Sequence, residues 1–92
     1  MRVFLTDEFE KRRTELSATL QKRAAKQKAL LEVNPLHPSL NIEKLVPKHK
    51  ELWSMRVDRS YRILFRFLEA DAVVFLTVGP HDWVYKIARR YR

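Results

Sequence analysis

Glycine occurs once in these 92 residues, at position 79, and proline only at 35, 38, 47 and 80. These residues are the strongest interrupters of regular structure, so their placement divides the chain. From Asp7 to Val33 neither intervenes, and Phe9, Leu16, Leu20, Ala24 and Leu31 keep near-helical spacing. Lys11, Arg12, Arg13, Lys22, Arg23, Lys26 and Lys28 occupy much of the remaining surface. An unbroken helix of that length is long for a small domain; one long helix and a two-helix hairpin both fit, and the sequence does not choose. Asp7 is expected to cap the helix start, with Glu10 reaching back. Ahead of it, Met1 to Leu5 is a short β-favouring opening.

Asn34-Pro35 stops the helix, because the residue before proline is pushed out of the α region. Leu36 to Asn41 reads as a loop, followed by a short Ile42-Glu43-Lys44-Leu45 segment and Pro47. The second half has strand periodicity. Trp53, Met55 and Val57 alternate with Ser54, Arg56 and Asp58; Tyr61, Ile63, Phe65 and Phe67 alternate with Arg62, Leu64 and Arg66. Glu69-Ala70-Asp71 is a hairpin turn, and Val73 to Val78 is apolar on both faces, as in a strand covered on both sides. Gly79-Pro80 ends that strand, and Asp82 is expected to cap a last helix that turns Trp83, Ile87 and Tyr91 inward. The expected fold class is α+β: an N-terminal strand, one long helix or a helical hairpin, a three-stranded antiparallel meander and a short C-terminal helix.

Residues 1–92 leave room for one domain with one core, burying roughly 60–65% of the unfolded chain's surface. There is no cysteine, so neither disulfides nor thiolate zinc sites are available, in keeping with a reducing cytosol. The N-terminal apolar run is too short for a signal peptide, and Ala72 to Val78 is far too short to span a bilayer. A soluble, cytoplasmic protein without membrane association is expected. Nineteen Lys+Arg against eleven Asp+Glu give a formal net charge of +8, which attracts polyanions such as nucleic acid or an acidic protein.

One glycine cannot build a phosphate-cradling glycine-rich loop. Histidines 37, 49 and 81 lack paired-ligand spacing, so no metal site is expected. What remains is basic and aromatic. In the obvious meander, Arg56, Arg62 and Arg66 would converge on one sheet face, either as a solvated surface or as guanidinium forks matched to phosphate oxygens. His81 sits at a strand exit and carries the side chain that exchanges a proton near neutrality. Tyr85 follows four residues on, able to stack on a base or offer its hydroxyl. Taken alone, these two read better as a hydrogen-bonded turn residue and an ordinary helix-packing residue.

The stretch Leu52-Trp53-Ser54-Met55-Arg56-Val57-Asp58-Arg59-Ser60-Tyr61-Arg62-Ile63-Leu64-Phe65 resembles the central signature of RelE/ParE-superfamily toxins, in which a strand ending in arginine is followed by a Tyr-Arg pair. Val78-Gly79-Pro80-His81-Asp82-Trp83-Val84-Tyr85 resembles the closing motif, and His37-Pro38-Ser39-Leu40 followed by Lys44-Leu45 is similar to the segment ahead of the first meander strand. The resemblance covers residues 34–88 by motif and the helical part by order of elements.

The resemblance implies the toxin of a type II toxin–antitoxin pair, a ribosome-dependent, metal-independent endoribonuclease that cuts mRNA in the decoding site without a cofactor. It puts the catalytic set on Arg56, Arg62, His81 and Tyr85. RNA contacts are expected from Arg12, Arg13, Lys22, Arg23, Lys26, Arg66 and Arg89. The implied partners are an acidic RelB-like antitoxin, the ribosome and mRNA, with the free toxin a monomer. The best-known RelE carries lysines where this chain has Ser54 and Arg56, and an arginine near position 81; a histidine there points to conventional acid–base chemistry. A ParE-like gyrase inhibitor and a non-catalytic RNA- or antitoxin-binding module share the fold, which cannot by itself decide among them.

Overall fold

A computed structural model describes residues 1–45 and 51–91; Pro47 and His49 lie outside the described residues. The order is β1 (Arg2–Leu5), α1 (Asp7–Thr14), α2 (Ala18–Val33), a 3-10 turn (Pro38–Leu40), β2 (Glu43–Lys44), β3 (Trp53–Arg56), β4 (Tyr61–Glu69), β5 (Ala72–Pro80) and α3 (His81–Ala88). The five strands form one sheet in the order β1-β5-β4-β3-β2. The expected meander is β3-β4-β5, extended by antiparallel β2 on one side and by β1, parallel to β5, on the other.

The helical region is a hairpin, broken at residues 15–17. Ser17 caps α2 by accepting from the Leu20 backbone amide at 3.2 Å, while the Gln21 side chain donates through Nε2 to the Leu16 carbonyl at 2.9 Å. Two capping expectations are corrected. Thr6, not Asp7, caps α1: its hydroxyl accepts from the Phe9 amide at 3.1 Å, and Glu10 turns away to pair with Arg13 at 2.9 Å. Pro80, not Asp82, stands at the N-cap of α3, with no side-chain capping bond; proline needs no partner for an amide hydrogen it lacks.

The sheet has a core on each face. Phe9 of α1 and Ala24 and Leu31 of α2 pack with Met55, Ile63, Phe65, Val73, Phe75 and Val78. On the other face Val84 and Ala88 of α3 pack on Leu45, Leu52 and Leu64, with Trp83, Ile87 and Tyr91 beside them as expected. Pairing steps from Leu64↔Thr77 to Phe65↔Phe75, which leaves Leu76 as a bulge. The bulge re-phases β5, so that Val78 rejoins the α1–α2 core while Gly79, opposite Arg62, turns toward α3. β1 ends opposite Phe75, and α1 runs along β5 beyond it, close enough for Arg12 to reach Trp83.

Gly79 is required for space, not for conformation. Its φ is not positive, but a Cβ there would stand 2.8 Å from Trp83 Cζ3 and closer still to Cε3. The backbone and the indole therefore touch, and this contact sets how closely α3 follows β5.

Candidate functional site

The sheet topology gathers four expected residues at one end. Arg56 is the last residue of β3 and pairs across the strands with Arg62, the second of β4; Arg62 pairs in turn with Gly79, two residues before His81. Tyr85 lies one helical turn beyond His81, and the two rings meet edge to face, centroids 4.5 Å apart. The His81 amide donates to the Ser60 carbonyl at 2.7 Å, tying the start of α3 to the β3–β4 turn. His81 is exposed, with Nδ1 3.2 Å from the Asp82 carboxylate.

Arg62 is 4% exposed, buried unlike Arg56. Its Nε donates to Ser54 Oγ at 2.8 Å and its Nη2 to the Asn41 carbonyl at 2.6 Å. Asn41 holds φ 44°, a left-handed geometry that asparagine accepts better than most residues, and so aims its carbonyl at the guanidinium. The guanidinium is thus anchored at two points. Arg66 does not join it: four strand residues carry it about 13 Å along β4, toward Tyr91 at the far end of α3. The expected three-guanidinium convergence is a pair, Arg56 and Arg62.

Three participants have no local sequence signature. The Tyr85 hydroxyl donates to the Glu43 carboxylate at 2.6 Å across 42 residues of sequence, and Ser54 and Asn41 hold Arg62. Glu43 sits on a two-residue edge strand, too short for any periodicity to find. Burial pushes the Tyr85 phenol above the ordinary tyrosine value, and the Glu43 carboxylate adds to this, while Ser54 and Arg62 oppose it. Tyr85 is thereby kept protonated, as a donor.

The other basic residues fall into separate environments. Arg12 lies 4.2 Å over the Trp83 ring and 3.9 Å from Glu8; Arg13 is bound to Glu10 and Gln21. Arg89 shares a groove with Glu43 and Tyr85. Arg23 and Lys26 face Arg56 and Arg59 across a cleft, and Lys22 is exposed on the same helix. Among the described residues no three His, Cys, Asp or Glu side chains cluster closely enough to hold a metal ion, and no helix is long and apolar enough to cross a membrane.

This architecture is that of RelE-type toxins. It matches a YoeB/ParE toxin from Agrobacterium tumefaciens with a TM-score of 0.70 at 14% identity, covering 88% of this chain and 99% of that one. It matches YafQ from E. coli strain BL21(DE3) with 0.70 at 16% identity, covering 92% and 99%. The archaeal RelE–RelB complex from Pyrococcus horikoshii OT3 gives 0.68 at 19% identity, covering 86% and 92%. No curated protein matches the chain in sequence. Residues 5–81 match the family of HigB-like toxins, described as the RelE-like toxin of the type II toxin–antitoxin system HigB. The chain belongs to that family.

Proposed function

We propose that residues 1–92 act as one toxin unit, a ribosome-dependent endoribonuclease that cleaves mRNA without a metal or other cofactor. The observation that supports this best is the meeting of His81, Tyr85 and the Arg56–Arg62 pair at one end of the sheet. In the reaction a ribose 2′-oxygen gives up its proton and attacks the adjacent phosphorus, the bond from phosphorus to the 5′-oxygen breaks, and that oxygen takes a proton. The products are a 2′,3′-cyclic phosphate and a 5′-hydroxyl. His81 moves a proton, Tyr85 stays protonated and orients or protonates a phosphate-linked oxygen, and Arg56 and Arg62 offset the charge that develops on phosphorus. An exposed histidine and a tyrosine held as a donor are a sparse acid–base set, so alignment of the strand falls to the ribosome.

The proposed inhibitory partner is an acidic, RelB-like antitoxin that covers Arg56 and Arg62 or displaces α3, drawn by the +8 charge. Similar structures were solved as RelE–RelB and DinJ–YafQ complexes. The free toxin is proposed to be a cytoplasmic monomer. The test is purified protein with a defined message, with and without programmed ribosomes, alongside a gyrase supercoiling assay. Cleavage confined to the ribosome-bound message supports the proposal. Uncut message with inhibited gyrase would instead make the chain a gyrase poison.

A further inference from the structure

A cleft opens between α2 and the β3–β4 turn, beside the site. Arg23 and Lys26, three residues apart on one face of α2, form one wall; Arg56 and Arg59 form the other. None of these four makes an ion pair among the described residues. Arg12 and Arg13 of α1 differ, since each stands beside a glutamate. The one carboxylate lining the cleft, Asp58, is engaged by its own turn, accepting from the amides of Ser60 and Tyr61 at 2.8 Å each. The lining thus holds four basic residues and one carboxylate.

The cleft is built, not incidental. Gln27, 7% exposed at its floor, donates to the Ser39 carbonyl at 3.1 Å and the Arg56 carbonyl at 2.8 Å, fastening α2 to both the 3-10 turn and the end of β3. It is also continuous with the site. Arg56 belongs to both, and Ser60, on the cleft wall, accepts from the His81 amide.

We propose that this cleft is a second phosphate subsite, taking the RNA backbone beside the phosphate held at Arg56 and His81. The inference rests on the endoribonuclease reading, but its test does not need cleavage. Unpaired guanidinium groups suit bidentate phosphate contacts, and continuity with Arg56 favours the same strand over a separate acidic protein segment.

The experiment is fluorescence anisotropy with a short single-stranded RNA, comparing wild type with the triple variant Arg23→Gln, Lys26→Gln and Arg59→Gln, which spares Arg56 and the site. Each lost phosphate contact should lower the slope of log affinity against log salt by about 0.7, so three lower it by about 2. Neutral methylphosphonate linkages flanking the scissile position should weaken wild-type binding and leave the variant's binding unaffected. An unchanged salt slope in a variant that melts as wild type does would overturn the proposal. So would equal sensitivity of both proteins to the neutral linkages, or displacement of RNA by an acidic peptide with no effect of those linkages. Absence of ribosome-dependent cleavage by the wild type, with its salt-dependent RNA binding as expected, would count against the nuclease reading alone.

Discussion

Replacing Gly79 by alanine adds one methyl group, and the structure places it against the Trp83 indole. Carbon atoms settle at about 3.5–4.0 Å, whereas the new Cβ would be 2.8 Å from Cζ3 and nearer to Cε3. The indole must retreat by about 1 Å, although Arg12 packs 4.2 Å from its centroid and α3 is seated through Val84 and Ala88. Overpacking of this kind costs roughly 1–3 kcal/mol. Because Gly79 has no positive φ, alanine also recovers about 0.4–1 kcal/mol by restricting the unfolded chain. The mid-range values, about 2 and about 0.7 kcal/mol, leave a net loss of about 1.3 kcal/mol, or roughly 5–10 °C in Tm for a domain of this size. Thermal melts of Gly79→Ala, Trp83→Leu and the double variant test this. With the indole removed, Gly79→Ala should cost less than about 0.5 kcal/mol. Strictly additive losses, or a single variant as stable as the parent, would refute the steric account.

Arg62→Lys keeps the charge but cannot hold both Ser54 Oγ and the Asn41 carbonyl as the fork does. It should cost about 1–3 kcal/mol of stability, read as a lower urea midpoint with the m-value unchanged; full stability with lost activity would mean the anchoring bonds contribute little. The alkaline limb of stability should report on Tyr85 and Tyr91, whose phenols burial raises above the ordinary tyrosine value. Folding favours their protonated forms, so their contribution is complete below pH of about 10 and disappears as pH climbs through the raised values. The double variant Tyr85→Phe, Tyr91→Phe should flatten that limb in pH-dependent unfolding, and an unaltered limb would contradict the assignment.

Much of the fold was legible because the constraints were local. Gly79-Pro80, Asn34-Pro35 and the period-two runs around Met55 and Ile63 mark boundaries that follow from backbone sterics alone. The hairpin break was marked only by Ser17, whose hydroxyl becomes a cap once the chain turns. Capping by Thr6 was missed because acidic residues follow it immediately and offer the same chemistry one position later. The parallel pairing of β1 with β5 and the Glu43–Tyr85 bond depend on contacts across 70 and 42 residues, which no periodicity encodes. Arg56, Arg62, His81 and Tyr85 were found as residue types in a motif, but the sequence did not show that Arg62 is buried and twice anchored, or that Arg66 stands apart.

The central claim is that His81 moves a proton in a cleavage step carried out on the ribosome. Its direct test is the single-turnover rate of message cleavage at saturating programmed ribosomes, for wild type and His81→Gln, with ribosome binding measured in parallel. The account predicts a rate depressed by about 10²–10⁴ with binding preserved, as for removal of a general acid or base. A His81→Gln protein that cuts at the wild-type rate, or a wild type that cuts free RNA as fast as ribosome-bound message, would contradict it.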